Sequence, residues 1–245
     1  MRDFDSEQFS HFEKVENDRF NWQTLNSFIS SKEKEVLNSL SYEPGERALE
    51  VGCGEGANIV NLGSEGKIIG LDYSYNRVKF AKDQIKGKTD FICASATDLP
   101  FSSGSFDLVF CRDLLHHLSD KKKAILEMSR VCKENGRVAI IEMNGKSNLV
   151  GRIFSRLVKE ESGMRDLDVN ELISFLKDAG AKEVNLAMRQ PCLLYRVIFH
   201  YKLCFVWMTK YRLCTNFIEW LEKLTTQMTP KNNWGYIIIS GRKLT

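Results

Sequence analysis

The chain has 245 residues, enough to bury one large core or two small ones, with 43% hydrophobic and 27% charged residues, as in ordinary globular proteins. A net charge of +3 is too mild to point to nucleic-acid binding by itself. The seven cysteines show no C-x-x-C or metal-type spacing, which argues for small buried hydrophobes in a reducing compartment and against a disulfide or metal scaffold. The opening "MRDFDSEQFSHF" has no signal-type apolar core, and no run approaches the roughly 18 apolar residues of a membrane span. A cytoplasmic protein is expected.

Residues 1–40 are polar but carry Phe4, Phe9, Phe12, Phe20, Trp22 and Phe28. Apolar spacing predicts a helix over Asn21–Leu40, ended by Pro44-Gly45. Strands and helices then alternate. Arg47–Val51 reads as a strand, followed by a glycine loop and a helix from about Ala57. Lys67–Leu71 is a second strand ending at Asp72, and Val78–Ile85 a helix. Asp90–Ala94 and Phe106–Cys111 are the third and fourth strands. Asp120–Cys132 is an amphipathic helix with Ala124, Ile125, Met128 and Val131 on one face. Asn135-Gly136 reads as a turn, Arg137–Glu142 as a fifth strand, and Asp168–Ala179 as a helix closed by Gly180. Glu183–Ala187 and Tyr236–Ser240 are candidate last strands.

Apolar strands separated by helices predict an α/β fold, a mostly parallel sheet covered on both faces. Ligands of such sheets sit beyond the carboxyl ends of the strands. The loop "EVGCGEG" (Glu50–Gly56) lies there, with Asp72 one strand away. Glycines at this spacing let backbone approach a ligand, and the following helix N-terminus receives anions. The pair suits a nicotinamide dinucleotide or S-adenosylmethionine equally well.

The later segments separate these two. "LEVGCGEG" (49–56), "IIGLD" (68–72), "ASATDLPFSSGSFDLVF" (94–110), "LLHHL" (114–118) and "EMSRVCKENGRVAIIE" (127–142) come in the order seen in class I S-adenosylmethionine-dependent methyltransferases. Over about residues 45–187 the chain resembles the small-molecule group that includes the ubiquinone and menaquinone C-methyltransferases. The resemblance implies a Rossmann-like sheet with its last strand antiparallel, and a single domain over 1–245. Within it, 1–44 would be an N-terminal helical lid, 45–187 the cofactor-binding core, 188–234 a helical cap and 235–245 the last strand.

The resemblance also implies site roles. Gly52, Cys53, Gly54 and Gly56 would pass the methionine part of S-adenosylmethionine, and Glu50 would order its amino group. Asp72 would bind the ribose hydroxyls and Tyr73 pack on the adenine. Ser95, Ala96 and Thr97 would meet the adenine edge, although the family usually carries Asp where Ser95 stands. Arg112 follows the fourth strand, near the cofactor's methionine end; a cation beside a sulfonium is unfavourable, so its side chain should turn away or meet the carboxylate. No metal is expected.

The acceptor side is less legible. His116 and His117 follow the fourth strand and are the candidate catalytic pair, as a base or a substrate hydrogen bond; the bland reading is a helix cap and surface filling. Asp113 and Glu142 are further candidates. Phe9, Phe12, Phe20 and Trp22 could cover the cofactor or pack on the sheet. The aromatic, partly basic stretch 188–234 has three readings: extra core, a cap around an apolar acceptor, or an interfacial surface, with Tyr195, Tyr201, Trp207 and Tyr211 among Arg196, Lys202, Lys210 and Arg212. A small or lipid-like acceptor is expected, with peripheral membrane contact through 188–234 and no nucleic acid. RNA or protein methylation, and a non-catalytic cofactor-binding module, remain the alternatives; the chain carries "CRDL" rather than the N/D-P-P-Y/F of nucleic-acid amino-methylating enzymes.

Overall fold

The computed structural model describes residues 13–43, 45–63, 67–87, 89–157, 159–189, 194–201 and 205–243. Phe4, Phe9, Phe12, Pro44, Cys192, Lys202 and Cys204 lie outside them. A seven-stranded sheet runs in the order β3-β2-β1-β4-β5-β7-β6. Its strands are β1 (Arg47–Val51), β2 (Lys67–Asp72), β3 (Asp90–Cys93), β4 (Phe106–Arg112), β5 (Cys132–Met143), β6 (Ala181–Arg189) and β7 (Tyr236–Lys243). β3, β2, β1, β4 and β5 pair in parallel, and β7 is antiparallel to both β5 and β6. This is the Rossmann-like methyltransferase sheet with an antiparallel strand late in the chain.

The strand residues explain the architecture. β4 is buried at nearly every position, as a central parallel strand covered on both faces must be. One face carries Leu49, Val109, Ile140 and Ile239 against α5 (Lys121–Val131) and α7 (Val169–Asp178). The other carries Ala48, Phe110, Ile141 and Ile238 against α2 (Ser27–Leu37) and the stretch around Tyr195 and Phe199. β1 and β2 frame the glycine loop, which leads into α3 (Ala57–Leu62); Ser74 caps α4 (Tyr75–Gln84) after β2 by accepting from Arg77 N.

Several elements differ from expectation. The single helix over Asn21–Leu40 is two, α1 (Asn17–Thr24) and α2, because the Asn26 side chain accepts from Ile29 N and starts a new helix. Asn135-Gly136 does not interrupt the chain as a turn. Asn135 takes a left-handed φ of 62° inside β5, beside an irregularity in the β4–β5 register. The helix α6 (Leu149–Leu157) was not read from the sequence; its signal is the Asn148 side chain accepting from Gly151 N, ahead of apolar Val150, Ile153 and Phe154. Two more helices, α8 (Leu194–Ile198) and α9 (Arg212–Met228), lie between β6 and β7. No helix among the described residues is long and apolar enough to cross a membrane.

Candidate active site

A cavity of about 570 Å³ opens at the carboxyl ends of β1, β2 and β4, a volume within the ordinary range for small-molecule sites. Gly52, Cys53 and Gly54 line it from the loop, and Asp72, Tyr73, Ser95, Ala96, Thr97, Arg112 and His117 from the neighbouring segments. Among the expected residues, Glu50, Gly56 and His116 do not line it.

Each of those three has a physical reason. Gly56 takes a φ of 82° at the start of α3, and a Cβ there would stand 2.5 Å from Ile85 Cδ1, so its role is packing. Glu50 is fully buried behind α3, where Asn58 Nδ2 donates to its Oε1 at 2.6 Å. Arg112 Nη1 in turn donates to Asn58 Oδ1 at 3.1 Å. Glu50 Oε2 is buried and finds no hydrogen-bond partner among the described residues. Burial raises the Glu50 carboxyl to about 8, against the smaller opposing pull of Asn58 and Arg112. A buried, half-satisfied carboxyl one layer behind the glycine loop fits a ligand that brings a cation, such as the amino group of a bound methionine moiety.

Asp72 is bound into the loop it was expected to serve. Its Oδ2 accepts from Gly54 N at 2.8 Å and its Oδ1 from Ser74 N at 2.9 Å. Burial raises its pKa despite these two donors. The carboxylate therefore shapes the loop as well as facing the cavity, and each oxygen keeps a second lone pair for a ligand hydroxyl. Ser95 Oγ and Thr97 Oγ1 lie 2.9 Å apart, and Thr97 N donates to Ser95 Oγ at 3.2 Å, a small turn that sets the Ser95–Thr97 edge. Tyr73 is 62% exposed, a ring open to a ligand laid across it.

Arg112 backs the cavity with its guanidinium turned into the protein. Its Nη2 lies 2.5 Å from Glu33 Oε2 and donates to Tyr236 OH at 2.9 Å. Arg196 Nη2 reaches the same Glu33 oxygen at 3.2 Å. Burial would raise the Glu33 carboxyl, but the two guanidinium groups outweigh it and hold it below the usual range. The network joins α2, β4, α8 and β7.

On the opposite side, the two histidines take different parts. His116 Nδ1 lies 2.6 Å from Glu142 Oε2, and its Nε2 lies 2.9 Å from Glu161 Oε2. Glu142, a further candidate on the acceptor side, does not line the cavity. Instead it is fully buried, and its Oε1 accepts from Leu114 N and Leu115 N. Burial opposes a charge on His116, but Glu142 and then Glu161 overcome it and hold the ring protonated to about 10. His117 packs against His116 with centroids 3.9 Å apart and the rings tilted at 50°. Burial, then the His116 charge, push His117 well below its ordinary pKa, so it is neutral. Neither ring caps the next helix; the Asp120 side chain does, accepting from Lys123 N. The ring nitrogens and the Glu161 carboxylate lie within 4.8 Å of one another, a spacing that could hold a metal ion, but the His116–Glu161 hydrogen bond already spans the pair that would share it.

Asp113 completes this wall in a left-handed conformation, φ 50°, with its Oδ1 accepting from Met143 N. Such backbone is uncommon outside glycine and is tolerated best by Asp and Asn. Sequence reasoning missed Asn58, Glu161 and the cavity-lining Arg19 and Gln23 of α1. Of the four aromatics read as a lid or as packing, Phe20 packs edge-on to Phe80 at 5.4 Å and Trp22 Nε1 donates to Phe199 O at 2.6 Å, while Phe9 and Phe12 lie outside the described residues. The helix thus offers its polar positions to the cavity and its rings to the protein.

The chain is similar to known proteins in sequence and in fold. A family profile described as a methyltransferase domain matches residues 49–140. A demethylmenaquinone methyltransferase of Bacillus mycoides is 26% identical over 209 residues, which is 71% of this chain and 87% of that protein. A methyltransferase from Thermotoga maritima superposes with a TM-score of 0.67 at 19% identity, covering 96% of this chain and 99% of that one. Phosphoethanolamine N-methyltransferase 2 of Haemonchus contortus, bound to S-adenosylmethionine, superposes with a TM-score of 0.67 at 20% identity, covering 93% of this chain and 56% of that one.

Proposed function

Because this chain is a class I S-adenosylmethionine-dependent methyltransferase, we propose that its acceptor is a small, lipid-like molecule held against His117 beside Arg19 and Gln23 of α1. The observation that carries this reading is one continuous cavity. It is lined by Asp72 and the glycine loop, by His117, and by Arg19 and Gln23 of α1. Cofactor and acceptor would meet there without crossing a barrier. That a relative is named for a menaquinone precursor supports an apolar acceptor.

The bound cofactor supplies an electrophilic methyl group and its own leaving group. The chain's residues align, discharge and shield. Asp72 accepts from the ribose hydroxyls, and Glu50, through the Asn58 layer, balances the methionine ammonium. Tyr73 would cover the adenine and Ser95–Thr97 would meet its edge. Cys53 and Gly52 form the wall behind the methionine part, and Gly54 holds Asp72 in place. Arg112 is turned away from the sulfonium, so its charge is spent on Glu33 rather than on opposing the cofactor. His117, neutral and at the cavity, accepts the proton of an acceptor hydroxyl or acidic carbon. His116 positions His117 by close ring contact and carries a fixed charge whose counterions are already in place.

Radiolabelled methyl transfer tests this directly. Transfer to a prenylated hydroquinone dispersed in detergent, exceeding transfer to short polar amines or to RNA, is the expected result. Preference for a polar amine or for RNA would reject the lipid-like acceptor.

A further inference from the structure

α9 is amphipathic the wrong way round for a surface helix. Leu213, Phe217, Trp220, Leu224 and Met228 recur every three or four residues and form one stripe. They are exposed, from 44% at Leu224 to 86% at Leu213. The side facing the protein carries Thr215, Ile218 and Glu222. A surface helix ordinarily buries its apolar stripe. Leu213 to Met228 extends over about 22 Å of helix. Phe217 and Trp220 stack at 5.9 Å, and the half-exposed Trp207 and Tyr211 pair edge-on at 5.7 Å in the adjoining Val206–Lys210 turn. Exposed apolar patches of this extent mark interaction surfaces.

The charges around the stripe indicate what covers it. Lys210, Arg212 and Lys223 border it, all exposed. The helix's two carboxylates are turned from it: Glu219 is paired with Lys32 at 3.1 Å and Glu222 is buried. A second copy related by a twofold axis would set the patch against itself, with Lys210, Arg212 and Lys223 facing their own copies and the α9 carboxylate Glu219 already paired with Lys32. An anionic bilayer surface satisfies both features, since acyl chains take the apolar stripe, headgroups take the lysines and arginine, and Trp and Tyr favour the boundary. The face is coupled to the cavity. Asn26 Nδ2 donates to Thr209 Oγ1 at 2.7 Å, just after α1, which carries Arg19 and Gln23.

We propose that the α9 stripe, with Trp207 and Tyr211, is the surface by which this enzyme lies on an anionic membrane, α9 parallel to the plane of the bilayer. The surface deepens the lipid-like acceptor reading and rests on it for its purpose, though not for its geometry.

Vesicle co-sedimentation of the full chain tests it, with phosphatidylcholine vesicles prepared with and without phosphatidylglycerol. The wild-type chain should bind the phosphatidylglycerol vesicles more tightly, and added salt should weaken that binding. The double variant Phe217→Glu, Trp220→Glu should bind at least about tenfold more weakly, two large apolar side chains having been removed from the buried face. Its helical circular dichroism and its affinity for S-adenosylhomocysteine should be unchanged. Absence of vesicle binding by the wild-type chain would overturn the proposal. So would a lipid-free dimer, seen by sedimentation equilibrium, that the double variant dissolves. Vesicle binding without methyl transfer to any apolar acceptor would leave this surface standing and reject the acceptor reading; methylation in detergent without vesicle binding would do the reverse.

Discussion

His116 Nδ1 lies 2.6 Å from Glu142 Oε2, with both side chains fully buried. Glu161 closes the other end of the ring at 2.9 Å. The imidazole is therefore a lodged cation, and the neutral ring at the cavity is its neighbour His117. A pair of adjacent histidines that looks symmetric in sequence is split into a structural acid form and a free-base form by burial and two carboxylates.

The raised His116 pKa gives a stability signature. A folded pKa near 10 against an unfolded value of 6.5 means the contribution is fully present below about pH 6.5 and is lost as pH rises toward 10. Urea denaturation should show falling stability across that window, and Glu142→Gln should flatten the fall. Nitrogen-15 NMR should report His116 doubly protonated at pH 8; a neutral His116 at that pH would contradict the assignment.

His117 should behave differently. His117→Ala is expected to lower kcat by about 10²-fold, within the range for a lost general base, with little change in S-adenosylhomocysteine affinity. Its low pKa predicts that activity is not lost by protonation between pH 6 and 7. Single-turnover kinetics across that range checks both statements.

Glu50 is the mirror case of a buried acid. Its carboxyl, raised to about 8 from 4.5, holds a proton in the folded protein that the unfolded chain releases. Its contribution is present below about pH 4.5 and declines as pH rises toward 8. Glu50→Gln keeps the Asn58 hydrogen bond and should therefore stabilise the ligand-free protein at pH 8, by an amount on the order of a few kcal/mol. Cofactor binding should release a proton near pH 7, visible by calorimetry in buffers of different ionisation heats. The Gln variant should release none.

Glu33 supports the cap from within. Glu33→Ala leaves Arg112 and Arg196 buried without their shared counterion, a loss of about 3–5 kcal/mol. Because the folded Glu33 pKa is lowered, its stabilisation is present above about pH 4.5 and is lost on further acidification. Denaturant midpoints of the two proteins at pH 7 measure the difference.

The core was legible because its signals are local. β1, β2 and β4 announce themselves as apolar runs, the glycines and Asp72 fall at strand ends, and the order of segments resembles one family. The acceptor side was not legible because its contacts are distant. Nothing near His116 in sequence points to Glu161, 45 residues away, or near Arg112 to Glu33, 79 residues back. The Ser-Asn-Leu-Val start of α6 carried a usable cap that was passed over. The aromatics of α1 were read for their chemistry, yet their helical phase turns them from the cavity and presents Arg19 and Gln23. The same phase effect operates in α9, where spacing alone shows a stripe but not which way it faces.

In the proposed site, Asp72 and the glycine loop hold S-adenosylmethionine in the cavity beside His117. Titration calorimetry with S-adenosylhomocysteine, on the wild-type chain and on Asp72→Asn, tests it most directly. Asn keeps the size and one acceptor, sets its amide NH2 against one of the two N–H groups of Gly54 and Ser74, and loses the charge-assisted bonds to a ribose. The affinity should fall by about tenfold to a hundredfold, with circular dichroism unchanged. Equal affinity in the two proteins, or binding of NAD in place of S-adenosylhomocysteine, would contradict it.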